Sequence, residues 1–329
     1  MQPQTDQPDE RRQALEQWVA EQLGQPVSGT PASADASFRR YFRFRVDGRS
    51  LIGMDAPPPQ EDCRPFVMVD ELLARAGVHV PAIIAQDLER GFLLLSDLGT
   101  RTWLKVLNEG NADRLFAQAI DTLVRIQRAS RPGVLPDYDE ALLRRELDLF
   151  PEWYVSRHCG VQWDAGQQQH WADLSDLLVS RALAQARVFV HRDFMPRNLM
   201  DSDPNPGVID FQDAVYGPVS YDPVCLFKDA FLSWPEERVA GWLAQYWEQA
   251  RAAGVPVPAD LARFLADCDL MGAHRHLKVI GIFARIRHRD GKPHYLEDVP
   301  RFFAYLDAVI QRRPELQALA PLLDQVRPA

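Results

Sequence analysis

The sequence predicts an α+β fold built as two lobes, a small strand-rich one over residues 1–98 and a large helical one over residues 99–329. Three observations carry this. Phe42, Phe44 and Val46 alternate with Arg43 and Arg45, then Asp47-Gly48 leads to a second apolar stretch at 51–54. Alternation with period two marks a half-buried strand, and Asp-Gly between two such runs favours a hairpin turn. Beyond Gly99 the apolar spacing becomes helical over most of the chain. Finally, the short apolar run Val188-Phe189-Val190 leads directly into a polar loop.

In chain order, residues 13–22 predict a helix with Leu15, Val19 and Leu23 on one face, ended by Gly24. The hairpin over 42–54 follows, and the prolines at 57–59 break its return strand. Residues 66–76 read as a helix stopped by Gly77, and 83–86 and 92–95 as two more strands. The boundary between lobes falls at Leu98-Gly99. Segments 102–107, 114–128, 140–150 and 162–186 then read as helices. After Pro223 the chain is mostly helix, divided by further prolines.

A chain of 329 residues can bury a large core. Its formal net charge of −9 argues against general nucleic-acid binding, which needs a basic footprint. No apolar run approaches the roughly 20 residues of a membrane span. The first dozen residues are polar and lack the apolar region of a secretory signal. Cys63, Cys159, Cys225 and Cys268 lie far apart without metal-ligand spacing and are expected as reduced thiols. These features lead to the expectation of a cytoplasmic, monomeric enzyme with no nucleic-acid or membrane partner.

The chemistry concentrates in His191-Arg192-Asp193-Phe194-Met195-Pro196-Arg197-Asn198, followed by Val208-Ile209-Asp210-Phe211. An Asp two residues after a His, an Asn five residues later and a second Asp after an apolar pair form the catalytic-loop and metal-strand pattern of kinases. Phosphoryl transfer depends on in-line positioning and charge neutralisation. In that pattern Asp193 orients the acceptor hydroxyl and takes its proton, while Asn198 and Asp210 hold Mg2+ against the phosphates of ATP. Any one of these residues alone would be an ordinary polar loop residue.

With Asp35-Ala36-Ser37-Phe38-Arg39-Arg40-Tyr41, Met54-Asp55-Ala56-Pro57-Pro58, Gly91–Gly99 and His276–Arg285, these motifs resemble the aminoglycoside phosphotransferase family, over roughly 33–306. Within it the chain looks like the bacterial cell-wall-recycling kinases that phosphorylate N-acetylmuramate and N-acetylglucosamine at the anomeric hydroxyl. The resemblance implies a protein-kinase-like fold, ATP and Mg2+ as cofactors and a small amino sugar as substrate. A kinase for an aminoglycoside, choline or a hydroxy-amino acid is the competing reading. A nucleotide-binding pseudokinase is a third, favoured by one departure: Met54 stands where the third strand of a kinase carries a Lys.

The same order along the chain assigns the remaining parts. The loop with Ser37 and Phe38 is expected over the phosphates, where small residues let backbone N–H groups approach, and Arg39 and Arg40 are read either as added charge there or as solvated strand arginines. Arg40 or Arg43 is expected to replace the missing Lys, with Glu71 as the helix partner. Ser96, Asp97 and Leu98 match the hinge, whose backbone bonds adenine. Asp222, in an Asp-Pro, is expected as a loop clamp. His191 and Asp213 are candidates beside the substrate, His191 bracing the loop. Arg275 and Lys278, neighbours at i, i+3, are read either as a solvated basic helix face or as the wall of an anion pocket suited to the carboxylate of N-acetylmuramate.

Overall fold

The computed structural model describes residues 9–33 and 38–328, so the expectation at Ser37 lies outside the described residues. The chain divides into two compact units. One holds the described residues up to Thr100 together with Asp201–Gln212, and the other holds Arg101–Met200 and the residues from Asp213 on. The stretch Asp201–Gln212 thus groups with the strand-rich unit although it comes after the catalytic-loop segment in sequence.

In the first unit, helix α1 (Glu10–Leu23) opens with the Asp9 carboxylate accepting from the Arg12 N–H and closes at Gly24 with φ 69°. Strands β1 (Thr30–Ser33), β2 (Arg40–Val46) and β3 (Arg49–Asp55) precede helix α2 (Arg64–Arg75), and β4 (Ile83–Asp87) and β5 (Phe92–Ser96) come after it. The strands form one antiparallel sheet in the order β1-β2-β3-β5-β4. Strand β1 carries no alternating signal, and the sequence does not predict it. Asp47 and Gly48 make the expected turn, both with positive φ.

The register decides which side chains share a face. Tyr41 lies opposite Met54, and Met54 opposite Leu93. Phe42, Phe44, Leu51, Phe92 and Leu94 pack with Leu15, Trp18 and Val19 of α1 in one core. Residues alternate across a strand, so Tyr41, Arg43, Ile52 and Met54 occupy the face away from α1. Gly91 is required where β5 begins: φ is +75°, and a Cβ there would lie 1.9 Å from the Ala56 carbonyl oxygen.

The second unit is mostly helical: α3 (Trp103–Val106), α4 (Ala112–Arg128), α5 (Glu140–Leu147), α6 (Ala165–Leu183), α7 (Tyr221–Phe227), α8 (Glu236–Ala252), α9 (Leu261–Asp290), α10 (Val299–Arg312) and α11 (Ala320–Asp324). Strand β6 (Arg187–Val190) pairs antiparallel with β7 (Val215–Pro218). The helix expected to 150 ends at Leu147, and a π-helix runs from Phe150 to His158. Gly281 of α9 explains part of this junction, since a Cβ there would sit 2.4 Å from the Leu149 carbonyl carbon. Helix α9 is 30 residues long and is buried nearly all round from Asp267 to Gly281. A helix buried on every side brings its charged residues into the interior, where they need partners.

Candidate active site

Strand β6 delivers Val190 to the catalytic-loop segment, and a buried carboxylate pins the first two residues of that segment. Asp222, fully buried at the start of α7, accepts hydrogen bonds from the backbone N–H groups of His191 (2.7 Å) and Arg192 (3.0 Å). Burial pushes its carboxyl up to about 7, against the pull of those two bonds. Asp222 is the clamp its Asp-Pro context suggests. The Asp193 carbonyl accepts from the Met195 N–H at 2.9 Å and from Asn198 Nδ2 at 3.0 Å, closing the loop over a 3₁₀ turn, Pro196–Asn198. Asn198 is therefore positioned through the backbone of Asp193, a half-buried residue. His191 is buried, takes the Asp193 N–H on Nδ1 (3.3 Å) and sets its ring edge-on to Phe194. That corrects its place among substrate residues: it braces the loop from inside. Asp213 is exposed, and its carbonyl lies 3.4 Å from Arg192 Nη1.

Arg192 adopts φ 75°, in the left-handed region. A residue other than glycine is held there only by its surroundings. Here the guanidinium is bound by Glu146 of α5, which also accepts from the Tyr138 hydroxyl and from Lys278 Nζ at 2.9 Å. Lys278 donates in turn to the Tyr221 hydroxyl at 2.9 Å. Burial raises the Glu146 carboxyl, but Lys278 and Arg192 outweigh it and hold the group down at about 2. Sequence reasoning misses Glu146. Its one signal is a charge on an apolar helix face, between Leu143 and Leu147.

This network corrects the reading of Arg275 and Lys278. Lys278 is 7% exposed and its charge is met by Glu146. Arg275 is 2% exposed, with Nη1 3.4 Å from the Lys228 carbonyl and Nη2 4.0 Å from Met195 Sδ. Neither is a solvated helix face, and neither walls an open anion pocket. The exposed part of the basic run is at Arg287, His288 and Arg289.

In the first unit Asp210 has φ 66°, and its Oδ1 accepts from Gln212 Nε2 at 2.8 Å. Next to it, Phe211 packs on Phe66 of α2 with centroids 4.8 Å apart. The arginines expected over the phosphates are committed elsewhere. Arg40 points to the α1 face and binds Asp55 at 2.6 Å, together with Asp9. Arg43 points the other way and binds Asp97 at 2.6 Å and the Gly99 carbonyl at 2.9 Å. Alternation in β2 thus prevents the two from sharing one ligand. Glu71 is also corrected: it is exposed and pairs with Arg75 one turn along α2. The Asp97 carboxylate is taken up by Arg43, Ser50 and the Gly99 N–H, which fixes the turn after β5. Ser96 accepts from the Ala82 N–H at 2.8 Å, and Leu98 is half-buried. Phe38 is 66% exposed, and Met54 is fully buried.

Among the described residues no group of three or more His, Cys, Asp and Glu side chains could hold a metal alone. Magnesium in kinases needs no such cage, because one or two protein oxygens plus the phosphates complete its shell. The amide of Asn198 and the carboxylate of Asp210 are hard oxygen donors of that kind, so the donor chemistry fits.

The phosphotransferase enzyme family (APH) pattern matches residues 28–267. The chain belongs to this family. Relatives of this phosphotransferase include the N-acetylmuramate/N-acetylglucosamine kinase of Pseudomonas putida, 61% identical over 97% of each chain. Another of the same name, from Neisseria meningitidis serogroup B, is 47% identical over 89% of each. Among solved structures, choline kinase LicA from Streptococcus pneumoniae superposes with a TM-score of 0.66 at 12% identity, covering 92% of this phosphotransferase and 100% of that chain. The gentamicin complex of APH(2")-IIa gives 0.60 at 14%, covering 91% and 97%. These likenesses establish the protein-kinase-like fold expected from the sequence. Among the described residues no helix is long and apolar enough to cross a membrane.

Proposed function

We propose that this phosphotransferase moves the γ-phosphoryl group of ATP to the anomeric hydroxyl of N-acetylmuramate and N-acetylglucosamine, giving the sugar 1-phosphate in the cytoplasmic recycling of cell wall. The observation that carries the reading is the 61% identity, over 97% of both chains, with a kinase named for those two sugars. The loop geometry supports it. Asp193 sits at half-burial on a backbone pinned by Asp222, as a base that must meet an acceptor hydroxyl requires. In the step, the hydroxyl oxygen bonds to the γ-phosphorus, its proton passes to Asp193, and the bond to the bridging oxygen of ADP breaks. Asn198 and Asp210 would hold magnesium, which neutralises phosphate charge when bound. A monomer is the expected working form.

Phosphorus NMR tests the reading. With magnesium and ATP, both sugars should yield anomeric phosphates, and their 1-O-methyl glycosides should stay inert because the acceptor is blocked. Phosphorylated methyl glycosides, or choline or an aminoglycoside outcompeting both sugars, would refute the anomeric reading and leave a phosphotransferase for another alcohol.

Asp210→Ala should weaken magnesium-dependent ATP binding more than Asn198→Ala does, since a carboxylate neutralises charge and an amide does not. Calorimetric titration with and without magnesium measures this. Equal, metal-independent affinities in both variants would remove the pair from the metal.

A further inference from the structure

With Met54 buried and Arg40, Arg43 and Glu71 all engaged elsewhere, the strand-to-helix ion pair of kinases has no counterpart at its usual positions. The chemistry still needs a cation at the phosphates. Lysine cannot supply it from the first unit, because Lys105, Lys228, Lys278 and Lys292 are the chain's four lysines and all fall in the second. Among the unit's arginines, Arg11 and Arg40 turn to the α1 face at Asp55, Arg12 binds Glu16 and the Gly29 carbonyl, and Arg90 pairs with Asp87. Arg45 and Arg49 are exposed beside the hairpin turn, and Arg64 and Arg75 are exposed on α2.

Arg39 differs from all of these. It precedes β2 by one residue, so alternation from Arg40 puts it on the side of Tyr41, Arg43 and Met54. Its Nη2 lies 2.9 Å from a Glu61 carboxylate oxygen, and the two side chains are only 13% and 14% exposed. Glu61 stands between β3 and α2, and the thiol of Cys63, at the N-cap position of α2, feels the Arg39 charge. The pair therefore bridges the start of β2 to the head of α2, beside the end of β3 where Met54 fills the usual cation position. A guanidinium grips two phosphate oxygens at once, which an ammonium on the next strand does not.

Resting on the phosphotransferase reading, we propose that Arg39 is the phosphate-gripping cation of this enzyme and that Glu61 is its positioning partner, in place of the usual strand lysine and helix glutamate. The two residues have moved one strand over and one loop back.

Calorimetry with magnesium-ATP, ADP and adenosine tests this without turnover. Arg39→Ala should weaken ATP and ADP roughly tenfold to a hundredfold, the value of one charge-assisted hydrogen bond, and leave adenosine unchanged. Arg39→Lys should recover part of the loss, and Glu61→Gln should fall between wild type and Arg39→Ala. Arg64→Ala, an exposed control, should bind as wild type. Wild-type ATP affinity in Arg39→Ala, or an equal loss of adenosine and ATP in both Arg39 variants, overturns the assignment while the phosphotransferase reading stands. A wild type that binds ATP no better than adenosine would instead sink that reading, and this one with it.

Discussion

Asp193→Asn is expected to cut turnover by roughly 10²–10⁴-fold, the usual cost of losing a positioned base, while ATP affinity stays largely unchanged. That loss corresponds to about 3–5 kcal/mol in the barrier. The substitution is nearly isosteric, and the contacts that hold the loop are backbone ones: Asp222 takes the His191 and Arg192 N–H groups, and the Asp193 carbonyl takes the Asn198 amide. None of these contacts uses the Asp193 carboxylate, so the variant should fold with its loop in place. An amide at that position can still contact the hydroxyl but cannot accept its proton. The loss should therefore fall on kcat, with KM for the sugar little changed. Single-turnover kinetics and calorimetry separate the two. A folded variant with wild-type turnover would remove Asp193 from its role.

Much of the fold is legible in the sequence because local signals agree with tertiary demand. The alternation at 42–46, the Asp47-Gly48 turn and the glycine after α2 each specify geometry within a few residues. The catalytic loop is legible for a similar reason: its residues sit at fixed offsets in one short segment. The misses share a different cause. Arg40 and Arg43 look equivalent in sequence, yet their parity in β2 sends them to opposite faces. Glu61 just before α2 and Glu71 within it are both acids close in sequence, and only packing shows that Glu71 is exposed while Glu61 faces Arg39. Arg275 and Lys278 sit in a charge run that the sequence leaves open between a solvated helix face and the wall of an anion pocket. Their burial depends on how many neighbours surround α9, a quantity no single segment encodes. The π-helix likewise depends on the approach of Gly281 to Leu149.

Glu146→Ala should cost about 3–5 kcal/mol of stability, the range for removing one partner from a buried ion pair. Two cations, Arg192 and Lys278, share this carboxylate, and Tyr138 donates to it as well. Without it both charges would remain in the interior uncompensated. Lys278→Met should cost less, because Glu146 keeps Arg192. The double change Glu146→Ala with Lys278→Met should cost less than the sum of the two singles, because it removes the Lys278 charge that Glu146→Ala leaves unpaired, and a double-mutant cycle in urea reads this directly. The pH dependence gives a second signature. Glu146 is held at about 2 in the folded protein against an ordinary 4.5. A carboxyl depressed on folding adds stability that is whole above the unfolded value and is lost as pH falls through the folded one. Wild type should therefore lose stability between about pH 4.5 and 2 by an increment that Glu146→Gln lacks. An equally steep acid limb in that variant would show the carboxylate is not stabilised by its neighbours. Catalysis should register the same change. Glu146 holds Arg192 in the left-handed conformation immediately before Asp193. Once released, Arg192 can relax toward a commoner backbone and carry Asp193 with it. In Glu146→Gln, kcat should drop further than KM rises, and in Lys278→Met, which leaves the Arg192 clamp intact, kcat should drop less. The reverse order would mean that Lys278, rather than the Arg192 clamp, sets the position of the base.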